Sequence, residues 1–313
     1  MLAVTYRDGR VEVAERPEPA PGTGEVLVRV RAAGINNADL IQAQGLYPAP
    51  PGSPPDILGL ELAGEVTAVG PDATRFAPGD RVMAVVGGGA QAELAVVHER
   101  VLMPVPEPID WPEAGAFPEV FTTAHDALFT QCGLSPGERL LVHGAAGGVG
   151  TAAVQLGVAV GARVTATVRN RDLRGRVEEL GASVRDPEAF EDAGPFDVII
   201  ELVGAGNLPA NLRALAVGGR IVVIGVGGSG SRGEIDLGAL MAKRARMHGS
   251  TLRARPLEDK AAAARRVEAQ VLPLLERREV RSVLESTFPL RDAPEAYRRF
   301  AAGGKLGKIV LLA

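Results

Sequence analysis

ERLLVHGAAGGVGTAAVQLGVAVGARVTATV, residues 138–168, runs from a short apolar strand through a glycine-rich turn into a small-residue helix, then out into a second apolar strand. Gly144, Gly147 and Gly150 let the backbone turn tightly and keep side chains out of the way of a pyrophosphate. Its charge would be met by the free N–H groups and the positive end of the following helix. A glycine triplet alone is weak, because a tight turn with close helix–strand packing uses the same residues. The strand before it and the helix after it supply the context that dinucleotide binding requires. Ala146, Gly147, Gly148 and Val149 are the expected contacts, with the helix beginning near Val149. His143, beside the loop, reads as a packed strand-end residue.

Downstream of this stretch, strands and helices alternate through "RGRVEELGA", "FDVIIELVG", "NLRALAVGGRIVVIG" and "KAAAARRVEAQVLPLLERREV". Continuous apolar strands such as "FDVIIELVG" indicate a parallel sheet covered on both faces, the doubly wound α/β class. Gly204, Gly225 and Val226 fall just past strand ends, at the carboxyl edge where such sheets bind ligands. The second strand ends on Val168, and here an NAD site usually places an acid for the ribose 2′-OH. This chain continues instead with Arg169, Asn170, Arg171 and, later, Arg174. Guanidinium groups there would pair with a 2′-phosphate, so the expected cofactor is NADPH. A solvated helix face is the competing explanation, and Asp172 is the residue that speaks against NADPH.

Upstream, residues 1 to about 110 have a different texture. Short strands, "EVLVRVRAAG", "LAGEVTAVG", "GDRVMAVV" and "AELAVVHERVL", are separated by Pro/Gly turns, as in a small β-rich barrel or sandwich. "AVTYRDGRVEV" reads as a hairpin turning at Asp8-Gly9, not as a signal peptide. The texture changes around "PEPIDWPEAGAFPEVFTTAHDALF", with an amphipathic helix expected after Pro118. The expected domains are residues 1–116, β-rich, and 117–254, nucleotide-binding, with 255–313 returning at least partly to the first. "GKIVLL", the last strand, fits either. At 313 residues, with 46% hydrophobic and 23% charged residues and a net charge of −4, the composition is that of a two-domain globular protein and offers no broad attraction to nucleic acid or anionic membrane. No apolar run reaches the roughly 20 residues that span a bilayer. A single cysteine, Cys132, excludes an internal disulfide framework and any multi-cysteine zinc site. The expected setting is the cytoplasm and the expected partner a small molecule.

Taken together, "AGINNADLIQAQGLYP", "ILGLELAGEV", "PGDRVMAVVGGGAQAE", "EVFTTAHDAL", "GAAGGVGTAAVQL", "FDVIIELVG", "GGRIVVIGVGGSG", "STLRAR" and "KLGKIVL" make the chain resemble the medium-chain dehydrogenase/reductase superfamily along nearly its whole length. Within it the chain is similar to the zinc-free quinone oxidoreductases, closest to the p53-inducible-type quinone reductases. The resemblance implies a GroES-like catalytic domain from both chain ends, an inserted Rossmann domain with the cofactor in the cleft, and a homodimer. Zinc alcohol dehydrogenases of the superfamily hold a catalytic metal with a cysteine, a histidine and a third ligand, usually cysteine. The resemblance places Asn36, Leu60 and Glu119 at those positions. Asparagine is a poor zinc ligand and leucine is none, so no metal is expected.

Without a Lewis acid to remove an alcohol's proton, the acceptor should be intrinsically electrophilic: a quinone or, alternatively, an enone or alkenal. A non-catalytic NADPH-binding sensor or structural protein is the expectation from another class. By the resemblance, Asn36 faces the cleft, and Tyr47 is a proton donor or an aromatic shelf for a quinone ring. Thr123 matches the threonine that approaches the nicotinamide, with Thr122 one position off, and Arg253 and Lys308 match positions near the cofactor or the cleft mouth. Asn37 and Asp39 read as helix-capping residues.

Overall fold

In the computed structural model, which describes residues 1–313, the chain forms two compact units: residues 1–122 with 252–313, and residues 123–251. The first opens on the hairpin turning at Asp8-Gly9. Strand β1 (Leu2–Arg7) pairs antiparallel with β2 (Arg10–Glu15), and the two turn residues take φ of 49° and 76°, which glycine adopts freely and aspartate tolerates. Next come β3 (Glu25–Gly34), α1 (Asn37–Ala43), β4 (Glu61–Val69), β5 (Arg81–Val85), β6 (Leu94–His98) and β7 (Leu102–Pro104). Alternation along β3 buries Val26, Val28 and Val30 against Leu62, Val66, Val82 and Ala84. The stretch expected as one strand over 92–102 is broken by a turn at Glu99–Val101, where the His98 imidazole accepts a hydrogen bond from Arg100 N at 3.3 Å. Asp110 caps the short α2 (Trp111–Gly115), accepting from Glu113 N at 2.9 Å, and α3 (Pro118–His125) starts at the expected proline.

The second unit carries β8 (Arg139–Val142), α4 (Gly148–Ala159), β9 (Arg163–Thr167), α5 (Arg174–Glu178), β10 (Ser183–Arg185), β11 (Phe196–Glu201), α6 (Leu208–Ala214), β12 (Leu215–Val223), α7 (Leu237–Ala242) and β13 (Arg246–Gly249). All six strands are parallel, in the order β10-β9-β8-β11-β12-β13. This is the doubly wound arrangement, in which the chain reverses its direction of travel across the sheet beside β8. The inner strands are buried on both faces, with Leu141, Ile199, Phe196 and Ile221 sharing a core with Leu212 of α6.

The chain then returns to the first unit as α8 (Leu257–Gln270), α9 (Leu272–Glu276), β14 (Leu284–Pro289), α10 (Ala293–Ala301) and β15 (Lys308–Leu312). The last strand, ambiguous in sequence, pairs antiparallel with β3 and parallel with β14, in a seven-stranded sheet that runs β14-β15-β3-β4-β5-β7 with β6 also on β3. The observed architecture is the expected one: a GroES-like β-rich domain plus a parallel Rossmann-type sheet. No helix is long and apolar enough to cross a membrane.

Candidate functional site

The glycine loop joins β8 to α4 at the carboxyl edge of the parallel sheet. Gly147 is the N-cap of α4, and no side chain caps the helix, so its first N–H groups are left for a ligand. Gly150 cannot be anything larger: a Cβ there would lie 2.5 Å from Gly144 O and 2.6 Å from Ala145 Cα, against ordinary contacts well above 3 Å. Its lack of a side chain lets the helix press onto the loop. A Cβ on Gly147 would instead meet only Gly144 O, at 3.4 Å, so this residue keeps an open face. These are the features that a pyrophosphate needs, and Ala146, Gly147, Gly148 and Val149 all remain partly accessible.

At the end of β9 the four polar residues expected to meet the ribose phosphate separate. Arg174 is tied down, donating from Nη2 to Asp186 Oδ2 at 2.6 Å and from Nε to Val168 O at 3.0 Å. Asn170 caps the following turn, accepting from Asp172 N at 3.1 Å. Arg169 is exposed and makes no hydrogen bond or ion pair; Arg171 is exposed and makes no hydrogen bond, but its charge, after that of Arg174, helps hold the Asp186 carboxyl below its ordinary value, and Asp172 is exposed beside them. Two exposed guanidinium groups thus stand past the end of this strand, at the carboxyl edge of the sheet.

Beneath this edge lies a buried polar chain, of which only His143 drew notice in the sequence. Glu201, the last residue of β11, is fully buried. Its Oε1 accepts from Val203 N at 2.7 Å and Gly204 N at 2.8 Å, and its Oε2 from Asn207 Nδ2 at 3.1 Å and Asn211 Nδ2 at 2.9 Å. Asn211 Oδ1 lies 2.7 Å from His143 Nε2, and His143 Nδ1 lies 3.0 Å from Thr167 Oγ1. Burial holds the His143 pKa below its ordinary value, favouring the neutral ring. Gly204, at φ 138°, begins the loop that Glu201 pins, a conformation that favours glycine. Gly225 and the exposed Val226 lie past the end of β12.

In the first unit, Asn36 stands between β3 and α1, buried to 8% exposure and engaged at both ends of its amide. Oδ1 accepts from Lys308 Nζ at 2.5 Å, and Nδ2 donates to Glu61 Oε1 at 2.9 Å. Lys308 also donates to Ile35 O at 2.8 Å and closes an ion pair with Glu61 Oε1 at 2.6 Å, while Glu119 N donates to Glu61 Oε2 at 2.9 Å. Lys308 therefore sits inside a buried cluster. Leu60 is buried and apolar, and no group of three or more His, Cys, Asp and Glu side chains is placed to hold a metal ion. One turn along, Asp39 caps α1 by accepting from Asn36 N at 2.8 Å and also takes Gly59 N at 3.2 Å. Complete burial is the main force lifting its carboxyl from an ordinary 3.8 to about 7.

Tyr47 follows α1 and is half-buried, with the Arg253 guanidinium 4.8 Å from its ring centre. Arg253 is itself buried. It donates to Gly87 O at 2.8 Å, to Tyr47 O at 2.9 Å and to Gln42 Oε1, so it binds the Tyr47 segment to α1 and to the loop at Gly87. Thr123 is buried on α3. Glu61, Glu201 and Asn211 are not marked by any sequence motif: Glu61 and Glu201 lie in apolar strands and Asn211 in an ordinary helical run, and the partners of Glu61 and the Asn211–His143 contact come from distant parts of the chain. A glutamate inside a buried strand, as in "DVIIEL" and "LGLELAG", was the available signal.

Residues 22–107 match the family model of the alcohol dehydrogenase GroES-like domain, and residues 181–311 that of the zinc-binding dehydrogenase. A quinone oxidoreductase of Rattus norvegicus is 33% identical over 315 residues, covering 94% of this chain and 91% of the rat protein. A spectinabilin polyketide synthase system protein of Streptomyces orinoci is 38% identical over 312 residues, 96% of this chain. The chain spans only 14%, 5% and 8% of the lengths of three polyketide synthase proteins to which it is similar. Among solved structures, an NAD-dependent alcohol dehydrogenase superposes with a TM-score of 0.88 at 30% identity, each chain covered completely. A mycobacterial protein in complex with NADPH gives 0.87 at 27% identity, again with both chains fully covered.

Proposed function

The chain belongs to the medium-chain dehydrogenase/reductase superfamily, and on that premise we propose that it is a zinc-independent oxidoreductase passing reducing equivalents from NADPH to a quinone. The observation that carries the reading is the Asn36–Glu61–Lys308 cluster. Where the resemblance assigns a first zinc ligand, this chain has an amide engaged on both sides and an ammonium 2.6 Å from the neighbouring carboxylate. That donor set does not suit tetrahedral zinc, whose ligands are imidazole, thiolate or carboxylate. An acceptor that needs no Lewis acid fits best, and a quinone is one.

The residues of the second unit fit NADPH. The Gly144–Gly150 loop suits its pyrophosphate, Gly204, Gly225 and Val226 lie along the same carboxyl edge, and exposed Arg169 and Arg171 suit a 2′-phosphate. When bound, the nicotinamide supplies the hydride. In the first unit, the second hydrogen of Asn36 Nδ2 is what that amide has left to offer a carbonyl. Tyr47 offers a phenol as proton donor and a ring as shelf, held in place by Arg253. We carry forward a homodimer and a cytoplasmic setting as parts of the same reading.

The similarity to polyketide synthase proteins favours a second reading, hydride delivery to the β-carbon of an α,β-unsaturated carbonyl. NADPH oxidation measured against 1,2- and 1,4-quinones, enones, alkenals and secondary alcohols, with and without EDTA, separates the possibilities. Quinone turnover indifferent to EDTA is expected. Preference for enones would establish the second reading, EDTA-sensitive alcohol turnover would sink the zinc-independent one, and tight NADPH binding without turnover of any acceptor would identify a non-catalytic binding protein.

A further inference from the structure

The buried chain Glu201–Asn211–His143–Thr167 has a direction that its partners impose. Glu201 sits among N–H donors, so Asn211 must present its Nδ2 to the carboxylate and its Oδ1 to the imidazole. His143 Nε2 therefore carries the ring proton. Nδ1 keeps its lone pair and accepts from the Thr167 hydroxyl at 3.0 Å. Each member is more than nine-tenths buried, and the chain ties together the ends of β8, β9 and β11.

The backbone beside Thr167 is held as well. Thr167 O accepts from Ala145 N of the glycine loop at 3.2 Å, Val168 N donates to Arg185 O at 3.2 Å, and Val168 O accepts from Arg174 Nε at 3.0 Å. Arg169 leaves this pinned base exposed and without a partner. A cation on a fixed backbone has less freedom to lose on meeting an anion than one on a mobile loop.

We propose that His143 is a positioning residue: through Thr167 it fixes the end of β9 so that Arg169 and Arg171 select a dinucleotide bearing a 2′-phosphate. Glu201, at the other end of the chain, fixes the Gly204 loop in the same frame. This rests on the NADPH reading above and extends it to residues that touch no cofactor.

Affinities for NADPH and NADH, measured by binding titration on the full chain, test it in wild type, Thr167→Val and Thr167→Ser. Valine keeps the shape and removes the donor. NADPH affinity is expected to fall about fivefold to tenfold in Thr167→Val, as for one buried hydrogen bond, with NADH affinity within about twofold of wild type. Thr167→Ser should restore the NADPH value. A parallel fall for both nucleotides, or no change for either, would overturn the proposal. Independently of any nucleotide, nitrogen-15 NMR of the wild-type protein at neutral pH should show a protonated Nε2 and a bare Nδ1 on His143. The opposite tautomer would dismantle the chain even if NADPH binds as expected. NADH binding as tightly as NADPH in wild type, with the tautomer as assigned, would instead bring down the cofactor reading and the selection built on it.

Discussion

Glu61 and Glu201 are both completely buried, one at the first residue of β4 and one at the last of β11, yet the protein holds them in opposite ways. Glu61 has an ammonium 2.6 Å away, with the Asn36 amide and Glu119 N completing its shell. Glu201 has no cation in hydrogen-bond contact, only two backbone N–H groups and two asparagine amides, with the neutral His143 ring 4.0 Å off. Removing a charge from water costs several kcal/mol in either case, and each site must return it. Glu61 recovers it in one concentrated Coulombic contact, Glu201 in dipoles spread over a loop and a helix. The first arrangement fails when a single partner is lost. The second grips the backbone it bonds to, which suits a loop that must hold a shape.

The sharpest way to break the comparison is Lys308→Met, which strands the Glu61 carboxylate. A loss of about 3–5 kcal/mol is expected in urea unfolding, with much of it recovered in the Lys308→Met/Glu61→Gln double variant. If the double variant were as unstable as the single, charge burial would not be the cause. Asp39 lies beside the same cluster and gives a pH signature. Its folded pKa of about 7 stands above the ordinary 3.8, so the stability it contributes is complete below about pH 4 and lost as the pH rises through about 7. Wild-type stability relative to Asp39→Asn should therefore fall across that window, by on the order of 4 kcal/mol. A flat difference would show that the carboxyl is not so perturbed. Glu201→Gln turns an amide N–H toward groups that are themselves donors. It should cost about 1–3 kcal/mol by chemical denaturation and weaken NADPH binding, with no loss comparable to that of Lys308→Met. The smallest effect belongs to an exposed group: Arg169→Ala should lower NADPH affinity by about tenfold, roughly 1.4 kcal/mol, and leave NADH affinity and unfolding unchanged.

What could be seen in the sequence followed from local rules. The glycines of residues 144–150 read as a nucleotide loop only because a strand precedes them and a helix follows, the alternation along β3 dictates a half-buried strand, and Asp8-Gly9 dictates a hairpin. The buried clusters were invisible because Lys308 and Asn36 meet across 272 positions and Arg253 and Gln42 across 211. No periodicity reports a pairing at that range. Arg253 shows the effect most clearly. The resemblance puts it near the cofactor or the cleft mouth, and only the structure reveals that its guanidinium donates to two backbone carbonyls and a glutamine within the first unit. Of the basic residues after Val168, only burial and pairing distinguish Arg174, tied to Asp186, from Arg169 and Arg171.

By itself, then, the sequence determined the elements and the class: a doubly wound sheet with a glycine loop, a β-rich partner, and a chain without the cysteines of a zinc site. Periodicity and residue chemistry act over a few neighbours and are written along the chain. Only the tertiary structure decided that "GKIVLL" pairs with β3, that Lys308 enters a buried cluster with Asn36 and Glu61, and that His143 joins a hydrogen-bonded chain from Glu201 to Thr167. Those outcomes depend on which distant groups share a space with no water, where every buried donor and acceptor must find its partner within the fold.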